Sequence, residues 1–339
     1  MMGQVTIRDI AEELGVSTAT VSNVIHGKTK KISEETVRRV QELLEKRQYI
    51  PNMAGILLAQ NNSKIFGVVI HKHQKYEGHV LEDGFIAASL NALSEEIDNA
   101  GYFLMVKATT KWQEIPRFAS MWNMAGIILI GFCEQDYQKL RDEIRVPVVI
   151  YDGTVSDGRR LVNLTIDDRD GGRQMGEHFR QLGHKQVLYL ADNDIHVDHL
   201  RYLGLCEVYP EAQRWIVPME KDRRAQFYRE RLEEIRQYTA VFAASDYYAI
   251  DFIHEMSAHG LQVPKQISVA GFDNSTLSGM IQPSLTTIGQ NHTKRAKLAV
   301  ELLQKLYRKE DVQPEYLVPV ELVVRESTTF VSQSHQFFI

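Results

Sequence analysis

Residues 17–26, STATVSNVIH, carry small polar and apolar side chains in a pattern suited to contacting DNA rather than to catalysis. Ser17 can cap a helix, because its hydroxyl accepts one of the free amide hydrogens of the first turn. Val21, Val24 and Ile25 then fall on one face, and Thr18, Ala19, Ser22 and Asn23 on the other. Small side chains at the start of a helix suit one laid end-first into the major groove. The stretch before it, VTIRDIAEELG, must position that helix. Thr6 followed by Asp9 is the pattern of a capping box. Ile7, Ile10, Ala11 and Leu14 line one face of a first helix, with Arg8, Glu12 and Glu13 opposite. Gly15 stands where a helix ends in a left-handed residue, a conformation glycine enters cheaply. A plain helical hairpin is the simpler reading of two short helices. The caps, the glycine and the lysines that follow favour the DNA-reading one.

Beyond this pair, little else in the chain suggests chemistry by itself. His71, His73 and His79, and His196 with Asp198 and His199, are irregularly spaced loop histidines, a pattern of solvated side chains more than of a metal site. Gly171-Gly172 lacks the GxGxxG or Walker context of a nucleotide loop. No nucleophile with a base and no paired carboxylates stand out, so an enzyme is not expected. Cys133 and Cys206 are the only cysteines, which implies no disulfide framework and a reducing compartment. With 44% apolar and 24% charged residues and no apolar run long enough to span a bilayer, a cytoplasmic protein without membrane contact is expected. The net charge is −5 over 339 residues, yet residues 1–62 hold eight Lys/Arg against seven Asp/Glu, about +1, leaving about −6 for the rest. Such a split excludes bulk coating of nucleic acid and fits a local binder on an acidic body. Lys28, Lys30 and Lys31 sit together beside the second helix, where phosphate contact is expected.

After GKTKK, Ser33 caps a third helix with Val37, Val40, Leu43 and Leu44 inward, so three helices close a small core. Tyr49-Ile50-Pro51-Asn52 breaks it, since the residue before proline leaves the α region. MAGILLAQ (53–60) reads as one or two further helical turns. From Lys64, short apolar strands alternate with amphipathic helices. The strands are expected at 65–70, 102–106, 126–130, 147–151, 162–166, 186–190, 240–244 and 267–272. The helices are expected at 84–99, 115–124, 135–144, 170–182, 223–237, 247–259 and 293–308, with a closing strand over 316–324. That order means parallel sheets, and its length means two of them, hence two lobes. The expected divisions are 1–49, 50–62 and 63–339, the last with one lobe at about 64–163 plus 291–320 and the other at about 164–290 plus 321–332.

TIRDIAEELGVSTATVSNVIHG and ISEETVRRVQELLEKRQYIPN, followed by VPVVIYD (146–152), DGGRQMGEHFRQLGHKQVLYL (170–190), RYLG (201–204), ASDYYAI (244–250), ISVAGFDN (267–274) and PSLTTIGQ (283–290), recur in one family's order and spacing. Nearly the whole chain resembles the LacI/GalR family of bacterial transcription regulators. The resemblance implies an all-α three-helix DNA-binding headpiece with a hinge helix, and an α/β two-lobed domain like periplasmic binding proteins. It further implies a homodimer on a palindromic double-stranded operator, acting as a repressor, with a small-molecule effector, by family frequency a carbohydrate, between the lobes. Thr18, Ala19 and Asn23 match positions that read base edges. Thr6, Ser17, Thr20, Ser22 and His26 match backbone contacts, and Tyr49 and Asn52 the hinge entry. Leu58 matches a leucine that wedges into the minor groove. Where relatives have Ala-Arg-Ser-Leu, this hinge has Gly55-Ile56-Leu57-Leu58, and Gly55 costs roughly 1 kcal/mol of helix propensity against Ala. Arg201 and Asp273 match a charged pair that grips a polyhydroxylated ring from opposite walls. Asp152, Gln290, His71 and Ser245, where many relatives carry Asn, match other cleft positions. No cofactor and no metal are implied. A sugar-binding protein without a DNA role, and a purine-type regulator needing a corepressor, are the alternatives.

Overall fold

The structure is a computed structural model that describes residues 5–49, 63–132, 134–153 and 160–331. It divides into two compact units, Met1–Ser63 and Lys64–Ile339. Among the described residues, the first contains three helices, α1 (Ile7–Leu14), α2 (Thr18–Ile25) and α3 (Glu34–Lys46). Each begins as its sequence dictates. The Thr6 hydroxyl accepts from the Asp9 amide at 3.3 Å while the Asp9 carboxylate accepts from the Thr6 amide at 2.8 Å, closing the capping box. Gly15 ends α1 with φ 65°. Ser17 and Ser33 cap α2 and α3 by accepting from the amides of Thr20 and Thr36 at 3.1 and 3.3 Å. Ile10, Ala11, Val21, Val24, Val40 and Leu43 are buried where the three helices meet. The Arg47–Glu13 ion pair, 2.5 Å long and exposed, joins the end of α3 to α1 and contributes little in water.

The second unit is built on two six-stranded sheets. The first, in the order β11-β5-β4-β3-β1-β2, comprises Glu315–Val318, Leu161–Ile166, Val148–Tyr151, Gly126–Ile130, Ile65–His71 and Phe103–Thr109, all parallel. The second, in the order β12-β10-β9-β8-β6-β7, comprises Glu321–Val323, Thr286–Gly289, Ser268–Asp273, Ala240–Ala243, Val187–Ala191 and Gln213–Ile216. Only β12 runs antiparallel there, against β10. Central strands such as β3 and β8 are buried along their whole length, as sheets covered by helices on both faces require. The chain passes between the sheets after β5, after β10 and again between β11 and β12.

Several expectations need correction. The closing stretch 316–324 is two strands, β11 and β12, in different sheets. The helix expected over 223–237 is two, Lys221–Glu230 and Leu232–Ile235, separated at Arg231. β7 and β10 were not foreseen, nor was the helix His196–Cys206. QRWI and TTIG are too short and too polar to show a strand period, and the helix buries an arginine, a glycine and a single leucine rather than an apolar stripe. The expected hinge segment lies outside the described residues.

Candidate functional sites: a helix face and an interlobe cleft

In the first unit, Thr18, Ala19 and Asn23 are exposed on the outer face of α2, with Ser17 exposed at its start. Thr20, Ser22 and His26 are half-buried beside them, as is Tyr49 beyond α3. Thr6 is exposed, but its hydroxyl is already bonded to the Asp9 carboxylate at 2.8 Å. The Thr6 amide and hydroxyl hold that carboxyl below its ordinary range. The outer face therefore combines hydroxyls, a carboxamide and one methyl, with Lys28, Lys30 and Lys31 exposed nearby. Asn52 and Leu58 lie outside the described residues.

In the second unit, Arg201 is seated by two glycines. A Cβ on Gly204 would meet the Arg169 carbonyl oxygen at 1.9 Å, and one on Gly172 would meet the Arg201 carbonyl oxygen at 2.0 Å. The helices His196–Cys206 and Asp168–Gln181 thus touch backbone to backbone. That contact brings Arg201 Nε to 2.8 Å from Asp168 Oδ1 and Nη1 to 2.5 Å from the Ala244 carbonyl, with the guanidinium 3.6 Å above the Phe272 ring. Burial opposes both charges. It pushes the Asp168 carboxyl up to about 7 in spite of Arg201, while Asp168, Asp273 and Asp198 keep Arg201 charged.

Asp273 ends β9 in a left-handed conformation, φ 116°, and burial raises its pKa well above the carboxylate range. Its Oδ1 accepts from Gln290 Nε2 at 2.7 Å. Gln290 Oε1 in turn accepts from Arg295 Nη1 at 3.2 Å, and Arg295 Nη2 donates to Asp152 Oδ1 at 2.5 Å and to the Leu164 carbonyl at 2.8 Å. Gln290 stands where the chain passes from β10 to the first lobe, so this relay joins the two lobes. Arg295, fully buried and stacked 4.0 Å from the Tyr151 ring centroid, was not foreseen. A lone arginine in a helix gives no sequence signal of such a role.

Ser245 caps the helix Asp246–Ala258, its hydroxyl accepting from the Tyr248 amide at 3.5 Å. The Tyr248 hydroxyl donates to Asp192 Oδ2 at 2.6 Å. Asp192 follows β6 directly and Asp198 lies 4.0 Å from Arg201, so both belong to the same polar cluster. The rule that ligands meet the carboxyl ends of parallel strands points to Asp192 as well as to His71 as candidates. His71 ends β1 with its ring 5.1 Å from that of Phe132, and its buried Nδ1 has no partner among the described residues. One expectation fails: Arg201 and Asp273 do not face each other from opposite walls. Both rise from the second lobe, because the helix bearing Arg201 packs on Asp168–Gln181 and Asp273 ends a strand of that lobe's sheet. Nor does Arg201 offer a free fork, since Nε and Nη1 are committed. Among the described residues no three His, Cys, Asp or Glu side chains cluster as metal ligands, and His199 instead pairs with Asp194 at 2.8 Å. Among them, no helix is long and apolar enough to cross a membrane.

Residues 6–52 match the family described as bacterial regulatory proteins, lacI family, and residues 177–328 match the periplasmic binding protein-like domain. The chain is 28% identical over 341 residues to the HTH-type transcriptional repressor PurR of Mannheimia succiniciproducens, covering 95% of this chain and 98% of that protein. It is 27% identical over 339 residues to the HTH-type transcriptional regulator MalR of Clostridium butyricum, with the same shares covered. Among solved structures it is similar to the Lac repressor dimer bound to operator and the anti-inducer ONPF, with a TM-score of 0.83, 26% identity, and 96% and 100% of the two chains covered.

Proposed function

The chain belongs to the LacI family of bacterial regulatory proteins, and on that basis we propose that it represses transcription as a homodimer on a near-palindromic operator, under control of a small sugar held between its lobes. The observation that carries this reading is the exposed face of α2 above a capped three-helix core, on the same chain as a two-lobed body with a polar cleft. Thr18, Ala19 and Asn23 are assigned to base edges, with Ala19 reading a thymine methyl or shape. Ser17, Thr20, Ser22 and His26 are assigned to the phosphate backbone, as is Thr6, whose hydroxyl it shares with Asp9. Residues 1–49 are the headpiece and 50–62 the hinge, with Tyr49 and Asn52 at its entry and Leu58 as the minor-groove wedge. Residues 63–339 are the effector and dimerisation domain.

Within the cleft, Arg201 offers its remaining Nη2 edge and Asp273 its second oxygen, while Asp152, Gln290, Ser245 and His71 complete the lining. Effector binding changes the relation of the lobes and thereby the population of ordered hinges, which is how a ligand reaches DNA without touching it. The relay from Asp273 through Gln290 and Arg295 to Asp152 supports that coupling, because it bonds the two lobes at a crossing of the chain. No catalytic role is assigned, and the protein is placed in the cytoplasm, on the nucleoid. The test is selection of bound sequences from random double-stranded DNA at stated salt, with and without pooled sugars and purine bases. One enriched palindrome with a pyrimidine–purine step at its centre is expected. Salt-sensitive binding with no enrichment under any condition would overturn the regulator reading. Enrichment that appears only with purines would replace the sugar by a purine corepressor.

A further inference from the structure

The turn that follows β1 carries a lysine into the cleft. The turn Gln74–Tyr76 belongs to the first lobe, yet it is clasped to the second on both sides of Lys75. Gln74 Nε2 donates to Glu220 Oε1 at 2.8 Å, and the Lys221 amide donates to Glu77 Oε1 at 3.0 Å. The rim that receives this clasp is itself held. Arg224, fully buried, donates to the carbonyls of Pro218 and Met219 at 3.1 and 2.7 Å, to the Tyr247 hydroxyl at 3.1 Å and to Asp251 at 2.7 Å. Lys75 is therefore delivered by fixed backbone.

Its ammonium lies 5.3 Å from the Tyr76 ring centroid and, among the described residues, has neither an ion pair nor a hydrogen bond. The carboxylates it feels are Asp192, Asp198 and Asp83, which with Tyr76 keep its pKa raised against burial. On the same wall, His71 Nδ1 and His73 Nδ1 are buried without partners among the described residues. Polar groups left without partners on one wall are what a ligand with its own hydroxyls satisfies.

Charge decides the class of that ligand. Asp83, Asp192 and Asp198 act on Lys75, the other cation beside them is Arg201, and Arg201 is already paired with Asp168, while Asp273, raised by burial well above the carboxylate range, adds no fixed charge. A phosphate placed there meets several carboxylates and one free ammonium. An uncharged polyol donates to the carboxylates, accepts from Lys75 and adds no charge. We propose that Lys75 is an effector-specificity residue, seated by the clasp of Gln74 on Glu220 and Glu77 on Lys221, and that it selects an uncharged polyhydroxylated ligand over the corresponding phosphate ester. This rests on the cleft being the effector site.

The test is a thermal-shift titration of the full-length protein with uncharged mono- and disaccharides, the matching sugar phosphates and free purine bases, repeated on Lys75→Met and Lys75→Arg. An uncharged sugar is expected to raise the Tm while its phosphate does not. Its Kd rises at least tenfold in Lys75→Met and recovers in part in Lys75→Arg, with ligand-free operator affinity unchanged in both. A sugar phosphate that stabilises the unsubstituted protein, or an uncharged sugar with the same Kd in Lys75→Met, overturns the role of Lys75 and leaves the effector reading standing. No shift from any sugar, with or without one from a purine base, overturns both.

Discussion

Two of the three nitrogens of Arg201 are bonded inside its own lobe, to Asp168 and to the Ala244 carbonyl, so its substitution tests structure and binding together. Arg201→Ala leaves Asp168 buried without its partner, which costs roughly 3 kcal/mol by analogy with other broken buried pairs. The expected outcome is a lower unfolding midpoint in denaturant, loss of the effector response, and operator affinity retained below the transition. An unchanged effector response would remove Arg201 from the site. His292 gives a second prediction at this scale. Its Nδ1 lies 3.2 Å from the Ser89 hydroxyl and its Nε2 is buried without a partner among the described residues. Burial first, and then Arg295, lower its pKa to about 4 from the ordinary 6.5, against a weaker upward pull from the Asp273 backbone and Asp152. Protonation therefore favours the unfolded chain. The stability that neutral His292 supports is complete above about pH 6.5 and is lost as pH falls towards 4. His292→Gln should flatten the stability profile across that window by about 2 kcal/mol, read by urea unfolding at several pH values. An unaltered profile would show that other groups dominate it.

Among the elements, the helices of the headpiece and the helices of the body are held by different means. In α1, α2 and α3 the cap residues lie three positions from the amides they satisfy, so these starts are legible in the sequence. The contact between Asp168–Gln181 and His196–Cys206 is not local, and it depends on two glycines whose missing side chains let the backbones touch. Gly171-Gly172, set aside in the sequence as no phosphate loop, finds its reason here in packing. Gly204→Ala places a methyl against the Arg169 carbonyl, and backbone cannot yield as a flexible side chain would. The expected destabilisation is about 3 kcal/mol or more, and the displaced helix should carry Arg201 away from Asp168 and weaken effector binding at least tenfold. Thermal unfolding and ligand titration together check this. Near-normal stability would mean that the helices separate without cost.

For the whole molecule, one chain holds a small helical unit, whose core among the described residues is six buried side chains, and a larger body with two sheets joined by three passages of the chain. An effector that binds the folded body but not the unfolded chain stabilises it by about 2.7 kcal/mol at a hundred times its Kd. Calorimetry should then show the body's transition moving up with effector, while that of the headpiece, which holds none of the proposed cleft residues, stays in place. Equal movement of both would mean that the ligand binds elsewhere or that the two units unfold as one.

What the sequence determined by itself is what depends on near neighbours and on period. The capping box of Thr6 and Asp9, the serine caps, the stop at Gly15, the buried strands and their alternation with helices could be read directly, and with them the family and the two-lobed plan. The carboxyl ends of strands also pointed to His71, and could have pointed to Asp192. Only the tertiary structure decided which charged groups meet. Arg295 and Asp152 are 143 residues apart, and Gln74 and Glu220 are 146 apart. Such pairs leave no spacing to recognise, because the chain between them folds into separate elements before they come together. β7 and β10 belong to the same class, since so short and polar a segment becomes a strand only where a neighbouring strand offers its free hydrogen-bonding edge. So does Lys75, an ordinary turn lysine in the sequence, which the fold sets among carboxylates.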